Sequence, residues 1–465
     1  MIPTIGLEIH CELKTKQKMF CSCLNDPDET HPNINICPIC LGHPGTLPTI
    51  NKEAVLAMIK IGLALNGKIA TKTHFDRKSY FYPDLPKGYQ ISQYEEPIVQ
   101  GGKLLNKRIR RVHLEEDTGR LLHTSNGSLV DFNRAGVPLM ELVTEPDFHS
   151  AEEVLEFAKE LQMILRYLDV SNADMEKGEL RVEANVSLDM GVKTELKNIN
   201  SFKSVYDAVN FEIQRQKEVL QSGGKIIQET RGWDEKLKKT VVQRLKESAH
   251  DYRYFPEPDL PPLNLQVFDI QKMKNELPEL PAQKRERFQN EYGLNLTTIN
   301  LLIEDKKFAD FFEHSVSELN ILTKNKFDYT ILVNYLLSDV KGLMNELAIQ
   351  SVDDFLMSPE NFAHLIYLII DGKLSSRLAK NILLEMMKTG QDPEIIMKSQ
   401  NLNLINDNSK LEEIIKQIIN QNPKAVDDYK KGKNNALQFL IGQIMAQTKG
   451  QANPEKLQEL IKKFI

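Results

Sequence analysis

Ile5-Gly6-Leu7-Glu8-Ile9-His10 opens the chain with strict alternation of apolar and polar side chains. Successive side chains of an extended strand point to opposite faces, so Leu7 and Ile9 go one way while Glu8 and His10 go the other. A carboxylate and an imidazole therefore share the polar side of a strand whose other side is fit for burial. Just downstream, four thiols follow in two tight pairs, Cys21-Ser-Cys23 and Cys37-Pro-Ile-Cys40, separated by Leu24 to Ile36. Pairs of this form suit a tetrahedral zinc site, whose thiolates must converge on one ion. A redox CxxC, metal-free structural cysteines, or a site in which His31 or His43 replaces one thiol fit the same spacing. The fifth cysteine, Cys11, lies beside the strand and is expected to be a small buried hydrophobe.

The rest of the composition sets bounds. A chain of 465 residues is too long for one ordinary core and predicts roughly two to four domains. With 41% hydrophobic and 27% charged residues it reads as a soluble globular protein without a membrane span. The start, Met1-Ile2-Pro3-Thr4, lacks a basic segment followed by an apolar run, which predicts a cytoplasmic protein whose thiols stay reduced. A net charge of −6 excludes a uniformly basic groove but leaves room for a local patch. Residues 401–465 carry ten Lys and no Arg against seven acidic residues, a net of +3, and are the better candidate for phosphate contact.

Next in the chain, a helix is predicted from Lys52 to Asn66 on the spacing of Val55, Leu56, Ile59, Leu63 and Ala64. Its end, Gly62 to Ile69, nearly matches a phosphate-binding loop. Ile69 stands where the magnesium-binding hydroxyl belongs, however, and Asn66-Gly67 reads as a helix C-cap. From Phe75 to Tyr94, Tyr and Phe side chains alternate with cations and prolines. Arg77, Lys78 and Lys87 with Tyr80, Tyr82 and Tyr89 are candidate contacts to a nucleotide, by charge and by stacking. The alternative is rings packed under a long loop. Asp251 to Pro261 echoes Tyr80 to Pro86, and both are expected to be irregular.

Lys103 to Ile199 is mostly strand in pattern, with a hairpin at Asn126-Gly127. Glu141 is embedded in the apolar run Val137 to Val143, where an unmet carboxylate is costly. Leu180 to Leu188 alternates, presenting Arg181, Glu183, Asn185 and Ser187 on one face. Ser150-Ala-Glu-Glu153 is a capping box opening a helix to Leu168, and a further helix runs from Ser201 to Leu220. Both are expected to cover the apolar face of the sheet. From Pro281 onward only short amphipathic helices are predicted, among them Pro359–Ile370 and Asn434–Gln447; Lys430, Lys431 and Lys433 read either as phosphate contacts or as a solvated helix end. Glu8, His10, Glu116, Glu141 and Glu183 together make an oxygen-rich set with one imidazole, suited to Mg²⁺ arriving with nucleotide phosphates. Scattered surface acids are the competing reading.

Several long motifs carry a resemblance: Gly6 to His10, the four cysteines, Pro44 to Pro48, Phe75 to Gln90, His113 to Asp117, Thr144 to Asp147, Asp251 to Asp259 and the tail sequence 449–454. In order along the chain, they resemble the B subunit family of the aspartyl/glutamyl-tRNA amidotransferases. The resemblance implies an α+β fold: a mainly antiparallel sheet cradle with covering helices over 1–285, an all-α helical domain over 286–396, and a small helical tail domain over 397–465 that contacts tRNA. It implies a carbon–nitrogen ligase using ATP, with Glu8, His10, Glu116 and Glu141 as catalytic, Mg²⁺-binding residues. Glu183, also a candidate ligand, stands where many members have Asp. Cys21, Cys23, Cys37 and Cys40 would hold structural zinc. The implied partners are an amidase A subunit, a small C subunit, and tRNA(Gln) or tRNA(Asn) misacylated with Glu or Asp. A non-catalytic tRNA-binding module that positions substrate for a partner is the competing class.

Overall fold

The computed structural model describes residues 1–245, 252–324, 328–400, 408–448, 452 and 454–465. Asp251 and most of the tail motif 449–454 lie outside them. The chain divides into two compact units, Met1–Gln283 and Lys284–Ile465.

The first unit is built on a ten-stranded sheet. From one edge its strands run Lys239–Leu245, Glu229–Asp234, Thr194–Lys197, Leu180–Leu188, Pro3–Glu12, Pro138–Thr144, Lys107–Glu116, Val99–Gln100 and Lys68–Ile69, with Lys103–Leu104 pairing separately onto Lys107–Glu116. All pairings are antiparallel except that of Thr194–Lys197 with Glu229–Asp234. The opening strand lies in the middle, bonded on one side to Leu180–Leu188 and on the other to Pro138–Thr144. Ile5, Leu7, Ile9 and Cys11 are buried, and Glu8, His10 and Glu12 alternate with them on the other face.

Three helices, Lys52–Ala64, Ala151–Tyr167 and Phe202–Gln221, share one hydrophobic core with the apolar sheet face. Burial of this continuous cluster, at about 25 cal/mol per Å² of apolar surface, is what fixes the register of the strands beneath it. Ser150 Oγ accepts from Glu153 N at 3.2 Å, while the reciprocal arm of the capping box goes to His149, whose N–H donates to Glu153 Oε2 at 2.7 Å. The lookalike phosphate loop is a helix end: Asn66 adopts φ 56° and Gly67 N donates to Gly62 O at 2.8 Å. A Cβ at Gly67 would collide with Val99, so the glycine is needed for close packing.

The predicted hairpin is present, with its two-residue turn at Ser125-Asn126 and Gly127 already in the return strand. One expectation is revised. Phe255–Pro256, expected as irregular, pairs antiparallel with Asp76 and Arg77, and Asp76–Ser79 pairs in turn with Tyr89–Ser92. The two aromatic passages thus flank one small three-stranded sheet.

All described elements from Pro281 onward are helical. The second unit carries two separate hydrophobic clusters, one drawn from Phe288 to Met397 and one from Leu411 to Ile461. The helices Pro359–Ile370 and Asn434–Gln447 are among the described elements. Lys430 and Lys431 are exposed, while Lys433 Nζ lies 2.9 Å from Asp428 Oδ1.

Candidate functional site

Register across three neighbouring strands assembles the polar face. His10 lies opposite Glu141, and Glu141 lies opposite His113 on the next strand. The Lys107–Glu116 strand carries a bulge where Val143 pairs with Arg111 but Thr144 pairs with Ile109, so that Arg110 is the extra residue. The bulge switches side-chain parity. Ile109 faces the core before it, and Val112 and Leu114 face the core after it, leaving Arg111, His113 and Glu115 on the face of His10 and Glu141.

The result is a compact group of carboxylates and imidazoles. His10 Nε2 lies 3.4 Å from Glu141 Oε2, 3.7 Å from Glu115 Oε1 and 3.9 Å from Glu8 Oε1. His113 Nε2 lies 3.4 Å from the same Glu141 oxygen and 3.9 Å from Glu115 Oε2. Two overlapping triads, Glu8 with His10 and Glu141, and His113 with Glu115 and Glu141, hold their ligand atoms within 4.8 Å of one another. Glu115 and His113 are buried, yet Glu115 Oε2 and His113 Nδ1 lack a hydrogen-bond partner. Unpartnered buried polar atoms are rare in proteins, and Glu115 Oε2, 3.9 Å from His113 Nε2, fits a ligand set for a cation.

The electrostatics follow from burial and crowding. Burial opposes ionisation of Glu141, but His113 and His10 outweigh it and hold the carboxyl well below its ordinary value. Burial likewise opposes protonation of His10, yet Glu141, Glu115 and Glu8 prevail and push the imidazole up to about 9. Glu8 is raised, first by burial and then by Glu141. One imidazolium thus offsets part of the acidic charge.

Not every expected residue joins this group. Glu116 takes the opposite face from Glu115. Its Oε1 accepts from Lys87 Nζ and, at 2.9 Å, from Ile91 N, so its charge is met there and not among the other acids. Glu183 lies opposite Glu8 in register, but its Oε2 is 2.8 Å from Lys197 Nζ. The residues that sequence reasoning missed are His113 and Glu115, with Arg111 at 3.7 Å from Glu141. The buried apolar positions Val112 and Leu114 carry the signal, since alternation from them puts His113 and Glu115 on the polar side.

The candidate nucleotide contacts scatter. Arg77 makes a bidentate pair with Glu257, with both N···O distances 2.7 Å, and lies 4.3 Å over the Tyr89 ring. Tyr80 donates to Gln90 Oε1 at 3.2 Å, and Tyr82 is exposed. Lys78 is the one cation among them whose charge the acidic group stabilises. Burial would lower it, but Glu115 and Glu141 raise it above the usual lysine range. Around it stand Tyr252, whose ring centre is 5.3 Å from Lys78 Nζ, and Tyr254, stacked on Tyr94 at 4.1 Å.

Lys87, Tyr89 and Glu116 line a separate cavity of about 200 Å³ together with Cys21, Cys40 and His43. The four thiols of Cys21, Cys23, Cys37 and Cys40 gather beside it, with Sγ atoms within 4.8 Å of one another. Cys37 N donates to Cys40 Sγ at 3.1 Å, a backbone-to-sulfur bond that suits a thiolate. Neither His31 nor His43 belongs to this group. Cys11 sits apart, buried, and burial pushes its thiol up to about 12, which makes it a poor nucleophile.

Comparison with known proteins gives the family to which this fold belongs. Residues 3–270 match the model of the GatB/GatE catalytic domain, and residues 317–465 match that of the GatB domain. These matches define a catalytic domain of the GatB/GatE class followed by a second domain of the same protein type. Three relatives, each described as the B subunit of an aspartyl/glutamyl-tRNA(Asn/Gln) amidotransferase, span almost the whole chain. The one from Thermotoga maritima is 46% identical, over 100% of this chain and 98% of its own. That from Thermoanaerobacter pseudethanolicus is 45% identical, over 99% and 98%. That from Crocosphaera subtropica is 41% identical, over 99% and 97%. The chain belongs to the family of aspartyl/glutamyl-tRNA(Asn/Gln) amidotransferase B subunits.

Proposed function

We propose that the polar face of the sheet activates the side-chain carboxylate of Glu-tRNA(Gln) or Asp-tRNA(Asn) and converts it to an amide. What carries this reading is the convergence of Glu8, His10, His113, Glu115 and Glu141 from three adjacent strands. A side-chain carboxylate has no leaving group. Its oxygen attacks the γ-phosphorus of ATP, ADP departs, and the acyl phosphate then carries phosphate as the group to be displaced. Ammonia attacks the acyl carbon, phosphate leaves, and a carboxylate of the cluster takes the proton that the nitrogen loses.

Glu8, His10, Glu141, His113 and Glu115 would hold a divalent cation, Mg²⁺ when it arrives with ATP, and that ion would neutralise phosphate charge as it is transferred. Lys78, facing Glu115 and Glu141 from the small sheet, adds a fixed positive charge for the phosphate, and the Tyr94–Tyr254 stack walls the same side. In this reading Glu115 supplies the acid from its strand, and Glu116 serves the neighbouring cavity with Lys87. The four cysteines fit structural zinc by donor type and convergence, remote from any acid–base role.

The chain carries no recognisable glutaminase motif. Ammonia would come from an amidase A subunit, with a small C subunit completing a heterotrimer, and the helical tail would hold the tRNA. With those partners, ATP and glutamine, the chain should amidate purified Glu-tRNA(Gln), Asp-tRNA(Asn) or both, and by itself should not hydrolyse glutamine. Amide formation that proceeds without ATP, or glutamine hydrolysis by the isolated chain, would contradict the reading.

A further inference from the structure

Lys18 is fully buried and is among the largest side chains to be so. Its Nζ has two polar neighbours within bonding distance, Phe132 O at 3.3 Å and Cys40 Sγ at 3.9 Å. Among the described residues no carboxylate is paired with it. The nearby acid is Glu116, whose Oε1 is taken by Lys87. Two lysines and one carboxylate leave a buried positive charge without a counterion, which proteins avoid. Packing fixes Lys18 in place. Gly136, at φ 88°, holds a backbone conformation that favours glycine, and a Cβ there would already touch Cys40 Cβ at 3.4 Å and Lys18 Cδ at 3.6 Å. Lys18 N donates to Cys23 O at 3.0 Å, which ties its backbone to the cysteine loop.

We infer that Lys18 is the counter-cation of the four-cysteine centre, positioned to offset the excess negative charge of a divalent metal bound by four thiolates. Four thiolates on a divalent ion leave two negative charges in excess, and a fixed ammonium beside one sulfur removes half of that excess. The same charge is a liability when the thiols are protonated and metal-free. The inference rests on the reading that these thiols bind metal, and the experiment separates the two.

The full-length chain, stripped with a chelator, is titrated with Co²⁺ and Zn²⁺ as wild type, Lys18→Met and Lys18→Gln. Wild type should give a sulfur-to-cobalt charge-transfer band of tetrahedral four-thiolate type, and its absence would end the metal reading itself. Both variants should keep that band while binding Zn²⁺ about 10–100-fold more weakly in competition with a chelator. Metal-free Lys18→Met should melt no lower than metal-free wild type, whereas the zinc-loaded variant should melt lower than zinc-loaded wild type. A purely structural lysine would lower both. Equal zinc affinity in the variants and wild type, a lower melting temperature in both states, or failure of both variants to fold with zinc present would overturn the role of Lys18.

Discussion

Glu115 and Glu116 are adjacent acids with opposite surroundings. Glu115 Oε2 is buried without a partner beside His113, while Glu116 is satisfied by Lys87 and Ile91. Neutralising the first removes a charge that the cluster needs for a cation, and neutralising the second frees a lysine elsewhere. Glu115→Gln should therefore weaken binding of Mn²⁺, used as a spectroscopic probe, by at least ~10-fold, and Glu116→Gln should leave it nearly unchanged. The reverse order in electron paramagnetic resonance titrations would restore Glu116 to the site. Glu8, His10 and Glu141 were legible because each interrupts an apolar pattern. Glu115 was not, because a run of three acids ending a strand offers no contrast, and only counting from Leu114 resolves it. Lys18 was invisible, since the last of three alternating lysines, after Lys14 and Lys16, reads as surface.

At the scale of elements, the bulge at Arg110 decides which side chains of the Lys107–Glu116 strand face the site. The segment before it is tied down by arginines. Arg108 Nε and Nη2 lie 2.9 Å from Asp147 Oδ2 and 2.6 Å from Asp147 Oδ1, and Arg110 pairs with Glu145 in the same manner. Hydrogen bonds from Arg108 lower Asp147 from its ordinary 3.8 to about 2. For a depressed carboxylate the sign is fixed: its contribution is present above the unfolded value and is lost as pH falls through the folded one. Asp147→Asn should thus narrow its stability gap to wild type as pH falls from about 4 to about 2, read from urea midpoints. A gap that stays constant to pH 2 would mean the pair is not formed. The three helices over the sheet were legible to within two residues at each end because capping and 3.6-residue spacing are local signals. The pairing of Phe255–Pro256 with Asp76 and Arg77 was not, because strand partners about 180 residues apart leave no local trace.

For the whole molecule, the groups able to bind a metal, among the described residues, all fall in the first unit. The described elements of the second unit are helical, with buried apolar side chains in two clusters and with Lys430 and Lys431 exposed. On the proposed reading, chemistry and tRNA binding lie in different parts of the chain and should be separable by substitution. The most direct test is to measure tRNA-dependent ATP hydrolysis and tRNA affinity side by side in Glu141→Gln, which alters the carboxylate shared by both triads. The expected result is a loss of hydrolysis of about 10²–10⁴-fold with tRNA affinity within about threefold of wild type. Hydrolysis at the wild-type rate in Glu141→Gln would contradict the account.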